Sequence, residues 1–182
     1  MAIKMIGLDL DGTTLSTDRN FTQRTVDTLY RAIEKGVEIV IATGRAERSL
    51  PEKIYEIDGL RYVATSNGAR VIDILSGNVI YESYINEDRI PEVHRVLREL
   101  DADIEVFFDG VAYIGSREYE SIISGRNKTR NKDYIIKSRT PADNIFDLLI
   151  QNKHKIENIN INYTELEQRF ESEKVLKKIE RR

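Results

Sequence analysis

Apolar residues fall in short runs along this chain, and their period changes from run to run. Residues 3–10 are almost continuously apolar apart from Lys4 and lead into Asp11-Gly12, as a buried strand does at its exit. Residues 23–35 follow a helical period, with Val26, Leu29, Ala32 and Ile33 on one face. Thr22 is placed to cap that helix and Gly36 to stop it. A second apolar strand spans 37–42 and closes on Thr43-Gly44-Arg45. A helix is predicted over about 46–57, with Pro51 placed to bend or delay it. A third short strand, 62–65, ends at Ser66-Asn67-Gly68. Strand, helix, strand, helix, strand at these lengths predicts an α/β fold with a doubly wound parallel sheet. Ligands of such sheets bind beyond the carboxyl ends of the strands.

The pattern then changes. Residues 70–75 and 79–85 flank Ser76-Gly77-Asn78 and read as a β-hairpin. Asn86 is placed to cap a helix whose apolar face is Ile90, Val93, Leu97 and Leu100. A second hairpin joins 104–108 to 111–115 through Asp109-Gly110. Next come a short helix near Tyr119, a polar loop, a strand over 134–137, a helix over 141–151, a strand over 156–162 and a charged helix from 165 onward. These units predict a small α+β domain over 85–182, following a parallel-sheet core over 1–84.

Composition narrows the partners. The 182 residues are 40% hydrophobic and 32% charged, an ordinary globular balance. A net charge of −3 argues against nonspecific nucleic-acid binding, which needs clustered Lys and Arg to neutralise phosphates. No apolar run approaches the roughly 20 residues needed to cross a bilayer. The first residues are too short and too soon acidic for a signal peptide, so a cytoplasmic protein is expected. With no cysteine, disulfides, thiolate catalysis and cysteine-ligated zinc are excluded.

The chemistry concentrates at Asp9 and Asp11. They lie two residues apart where a buried strand emerges, so in extended chain both face one ligand. Close carboxylates repel, which suits a magnesium site and a pair with divergent proton affinities better than it suits stability. Gly12 lets the backbone turn sharply beside them.

Asp9-Leu10-Asp11-Gly12-Thr13 resembles the first motif of the haloacid dehalogenase superfamily of phosphohydrolases. Val40-Ile41-Ala42-Thr43-Gly44-Arg45 resembles the second. Thr65-Ser66-Asn67-Gly68-Ala69, followed by a hairpin and an α+β insertion, resembles the Cof-type branch, which carries a cap domain after the second motif. The resemblance implies a Rossmann-like core with an inserted cap. It implies a magnesium-dependent hydrolase of a small phosphorylated metabolite, with Asp9 as nucleophile and Asp11 as acid/base. Mg2+ would bind Asp9 and the backbone carbonyl of Asp11. Thr43 and Gly44 would hold phosphate oxygens at the start of the following helix, with Arg45 and Asn67 lining the same site.

Two parts of that pattern are missing. The superfamily's late lysine and its Gly-Asp-x-x-Asn-Asp segment have no match here, so the chain is expected to stop within its cap domain and to turn over weakly. An unfinished sheet would expose an edge and apolar surface, which invites a homodimer. A non-catalytic binding module, a phosphomutase, a sugar-phosphate phosphatase and a phospho-accepting receiver domain are the competing readings. Arg126, Lys128, Arg130 and Lys132 are read as a solvated loop, His94 and His154 as surface residues, and at least one of Phe107 and Phe108 as core packing.

Overall fold

The computed structural model describes residues 3–128 and 130–180. The chain divides into two compact units, Met1–Ser83 and Tyr84–Arg182.

In the first unit, strands β1 (Met5–Leu8), β2 (Glu38–Ala42), β3 (Tyr62–Thr65), β4 (Arg70–Asp73) and β5 (Asn78–Glu82) form one sheet in that order. The first three run parallel, with Leu8 opposite Ile41 and Ala42 opposite Ala64; the last two close an antiparallel hairpin. Helix α1 (Gln23–Glu34) makes the first crossover, and the Thr22 hydroxyl accepts the Thr25 N–H at its start. Leu29, Ile39, Ile41, Leu60 and Val63 bury together as the core of this unit. At the other extreme, β1 stands at the edge of the described sheet, and Ile3 and Met5 beside it are 70% and 62% exposed.

The predicted helix over 46–57 does not form. Two short 3-10 turns, Glu47–Ser49 and Glu52–Glu56, take its place on either side of Pro51. Proline has no N–H to give to a helical ladder, and its ring excludes the preceding turn. No α-helix therefore starts at Gly44, and no helix dipole is available to an anion there.

The second unit is a four-stranded sheet in the order β8 (Thr140–Ala142), β7 (Val111–Gly115), β6 (Asp103–Phe108), β9 (Asn158–Asn162). Helices α2 (Ile90–Leu97) and α5 (Ile145–Gln151) cover one face, where Ile104, Val106, Phe108 and Leu149 bury. Helices α3 (Ser116–Ile123) and α4 (Lys132–Ser138) pack over Ile114 through Ile122 and Ile135. Asp109 and Gly110 turn the β6–β7 hairpin with φ of 50° and 69°, and Phe107 and Phe108 are both core.

Three expectations change here. Residues 134–137 form a helix, not a strand, because the Asn131 side chain accepts the Tyr134 N–H and caps it; the β-prone Tyr-Ile-Ile run is overridden by that cap and by burial of Ile135. The helix expected from 141 starts at Ile145 behind an Asn144 cap, leaving Thr140–Ala142 to pair parallel with β7. Arg130 is no free loop cation: it pairs with the fully buried Glu105, which Arg139 also meets. His94 sets its ring edge against Phe146. The last helix, α6, runs Leu166–Glu180, and positions 181 and 182 lie outside the described residues. Among the described residues no helix is long and apolar enough to cross a membrane.

Candidate active site

The parallel register brings the motifs together. With Leu8 opposite Ile41 and Ala42 opposite Ala64, the three parallel strands end within a residue or two of one another, which brings Asp9, Thr43 and the end of β3 at Thr65 to one side of the sheet. Asp9 is still extended (φ −75°, ψ 155°), and Gly12, with φ +77°, turns the chain back. The Leu15 N–H closes the turn on the Leu10 carbonyl at 2.9 Å. Two hydroxyls then orient Asp9: Thr13 Oγ1 donates to its Oδ2 at 3.2 Å and Thr14 Oγ1 to its backbone oxygen at 2.5 Å. Thr14 was not singled out in the sequence, and its place directly after Thr13 was the available signal.

The second loop is pinned from both sides. The Thr43 N–H donates to Ala64, the Asn67 N–H to Thr43 and the Ser66 N–H to Arg45, at 2.9, 3.1 and 2.8 Å. Inside the turn, the Arg45 N–H donates to Thr43 Oγ1 at 3.2 Å. Thr43 is buried, whereas Gly44 and Asn67 face solvent. Asn67 adopts a left-handed conformation (φ 58°) that lays its side chain on Gly44. A Cβ at Gly44 would sit 2.8 Å from Asn67 Oδ1, so only glycine leaves both backbone and amide where they are.

Arg45 crosses between the two loops. Its Nε and Nη2 donate to Asp11 Oδ2 and Oδ1, both at 2.7 Å, while Nη1 donates to the Ser49 carbonyl at 3.1 Å. The Arg45 side chain is 7% exposed and that of Asp11 49%. Hydrogen bonding from Arg45 holds the Asp11 carboxyl below its ordinary range; burial opposes this in part, and the charges of Arg45 and Arg19 add to it. Asp11 is thus an ionised, firmly placed carboxylate.

Among the described residues no group of three or more His, Cys, Asp or Glu side chains forms a metal cage. Asp9 and Asp11 are oxygen donors at a strand end, a partial set of the kind that suits Mg2+, which keeps several waters and takes one or two carboxylates plus substrate phosphate.

Comparison with known proteins gives the family and the fold. A family profile described as haloacid dehalogenase-like hydrolase matches residues 6–180. A Haemophilus influenzae protein that carries a provisional phosphatase name is 40% identical over 88 residues, 48% of this chain and 32% of its own. Against a relative from Mycoplasma genitalium the chain spans 49% of the length, so it covers a third to a half of these curated proteins. A haloacid dehalogenase-like hydrolase from Bacillus subtilis superposes with TM-score 0.64 at 22% identity, over 85% of this chain and 59% of that one. A structure described for a trigonal-bipyramidal intermediate in a phosphoryl-transfer superfamily gives 0.69 at 18% identity, over 94% and 62%. At these identities the two structures speak for the fold alone.

Proposed function

The chain belongs to the haloacid dehalogenase-like hydrolases, and we propose that it is built for magnesium-dependent hydrolysis of a small phosphomonoester through an aspartyl-phosphate. The observation that carries this reading is Asp9 at the exit of β1, on the same side of the sheet as Thr43 and Gly44 at the exit of β2. An Asp9 carboxylate oxygen attacks phosphorus and the bond to the leaving oxygen breaks, with a proton passing to that oxygen from the small protonated fraction of Asp11, a fraction that the Arg45 fork reduces. Water then attacks the phosphorus and gives a proton to Asp11, and the Asp9 carboxylate is released with inorganic phosphate. Thr13 keeps Asp9 aimed. Thr43, Gly44 and Asn67 hold phosphate oxygens through loop groups, without help from a helix dipole. Arg45, with Nε and Nη2 on Asp11 and Nη1 on the Ser49 carbonyl, serves the site by placing Asp11. Mg2+, held by the Asp9 carboxylate and the Asp11 carbonyl, would let a carboxylate approach an anionic phosphate.

Turnover by these 182 residues alone is expected to be slow. The sequence holds no Gly-Asp-x-x-Asn-Asp segment, and no third acid joins Asp9 and Asp11 among the described residues. The same observation favours a second reading, a phosphate-binding module without turnover.

Phosphate release from a panel of small phosphomonoesters, with Mg2+ or EDTA, separates the two. Magnesium-dependent release that is abolished by Asp9→Asn supports the hydrolase. Phosphate binding with no release by a folded protein supports the module.

A further inference from the structure

Each of the two described sheets has two edges, and the four are not alike. A sheet edge carries backbone N–H and C=O groups without a ladder partner, and proteins keep such edges apart with charge, proline, brevity or a bulge. In the first unit Lys4 stands at the entry of β1. At the other edge β5 bulges at Ile80, between the pairs Val71–Tyr81 and Ile72–Val79, and ends on Glu82. In the second unit β8 has three residues, and the middle one is Pro141. β9 carries none of these guards. Its five residues, Asn-Ile-Asn-Ile-Asn, include no charge, proline or glycine, and they hold an unbroken register with β6 from Asn158 to Asn162.

The helix layer leaves the same end open. Helix α5 packs on β6 and β7, α2 packs on α5, and α6 packs on α2, so α6 lies at the β9 end of that layer. Ser172 of α6 is buried, whereas Leu166 and Phe170 are 67% and 59% exposed. At 3.6 residues per turn, both apolar side chains stand roughly 120° or more round the helix from Ser172. An uncharged strand edge and two large apolar side chains therefore share one end of the unit.

What fits that edge follows from the order of its residues. The run is palindromic, so an antiparallel copy centred on Asn160 sets Asn158 opposite Asn162, Ile159 opposite Ile161 and Asn160 opposite itself. Amide then meets amide on one face and β-branched meets β-branched on the other, with no like charges opposed. Beyond the strand, the same centre brings Lys155 level with Glu165 of the second copy, which is opposite in sign. The asparagines are held in place beforehand. Asn158 Nδ2 donates to Asn160 Oδ1 at 3.0 Å, Asn160 Nδ2 to Glu105 Oε2 at 3.4 Å and Asn162 Nδ2 to the Asp103 carbonyl at 3.4 Å. We propose that β9 is a dimer edge, pairing antiparallel with β9 of a second copy of this chain about a two-fold axis at Asn160, with Leu166 and Phe170 beside the seam. Pro141 bars the opposite edge, so two four-stranded sheets join into one and growth stops there. Nothing in this contact depends on the phosphatase reading.

The test is sedimentation equilibrium of the 182-residue chain over a wide range of concentration. Reversible association is expected, ending at twice the 21.0 kDa chain mass. Two double variants probe the register. Asn158→Lys/Asn162→Lys sets like charges opposite each other at two equivalent positions and should weaken the dimer roughly tenfold. Asn158→Asp/Asn162→Lys sets opposite charges there and should hold the dimer at least as tightly as the wild type. Phe170→Ser changes an exposed side chain, spares the sheet and should weaken the dimer several-fold. Melting curves by circular dichroism report whether each variant folds. A wild-type chain that stays monomeric at every concentration overturns the proposal, whether or not a variant folds. A dimer on which the two double variants act alike also overturns it, as does growth beyond the dimer. Dispersal of the dimer by Met5→Lys overturns it too, since that result places the seam at β1.

Discussion

Arg45 grips Asp11 with two guanidinium nitrogens, each 2.7 Å from a different carboxylate oxygen, although the two residues are 34 apart in sequence. This fork fixes both the position and the charge of the carboxylate that the mechanism uses for proton transfer. It also joins the β1 loop to the β2 loop, so structure and chemistry are coupled at one contact.

Removing the fork should cost stability. Arg45→Ala leaves Asp11 without its cation and the Ser49 carbonyl without its donor. With Asp11 half exposed, the loss is expected to be roughly 1–3 kcal/mol, below that of a fully buried pair. Arg45→Lys should recover only part of it, because an ammonium cannot make the two-point contact. Urea unfolding midpoints of the three proteins measure this, and equal midpoints would remove the fork from the stability account.

Gly44→Ala should weaken phosphate binding more than it weakens the fold. Its Cβ meets Asn67 Oδ1 at 2.8 Å, an exposed side-chain end that can swing away, so the stability loss should stay under about 1 kcal/mol. Swinging Asn67 away disturbs the anion site itself, and affinity for inorganic phosphate should fall about tenfold, one lost hydrogen bond. The double variant Gly44→Ala/Asn67→Ala should regain stability without regaining affinity. Calorimetric titration with phosphate and a melting curve check both halves.

Glu118 makes the chain less stable as pH rises. Its folded proton affinity is raised from the ordinary 4.5 to about 7. The stabilisation is full below the unfolded value and is lost as pH climbs through about 7. Glu118→Gln should flatten stability between those limits by on the order of 1 kcal/mol, after allowance for solvent screening of a half-exposed group. Denaturation midpoints at several pH values read the slope directly.

Asp73 works in the opposite sense. The Arg61 guanidinium, partly opposed by burial and assisted by the Leu75 and Ser76 N–H groups, lowers Asp73 from 3.8 to about 2. Its contribution is present above the unfolded value and disappears as pH falls through about 2. Asp73→Asn should lower stability at neutral pH and remove the part of acid unfolding that falls in this window. An acid titration followed by circular dichroism is sufficient, and an unchanged acid limb would count against the Arg61–Asp73 pair.

Much of the fold is legible locally. The strand ending at Asp9, the Thr22 cap and Gly36 stop of α1, and the Asp109-Gly110 turn each follow from residues within a few positions of one another. Where the local reading failed, a neighbour decided. Asn131 turned 134–137 into a helix, and Pro51 broke 46–57 into 3-10 turns.

The sequence by itself determined which residues stand at the strand exits, because hydrophobic period and turn chemistry are short-range and need no partner. The tertiary structure alone decided what those residues touch. Arg45 on Asp11, Asn67 on Gly44, and Arg130 and Arg139 on Glu105 join positions 23 or more residues apart. Each exists because strand register and loop closure set the distance, and a side chain's partner is chosen by that distance and by burial, which no local pattern encodes.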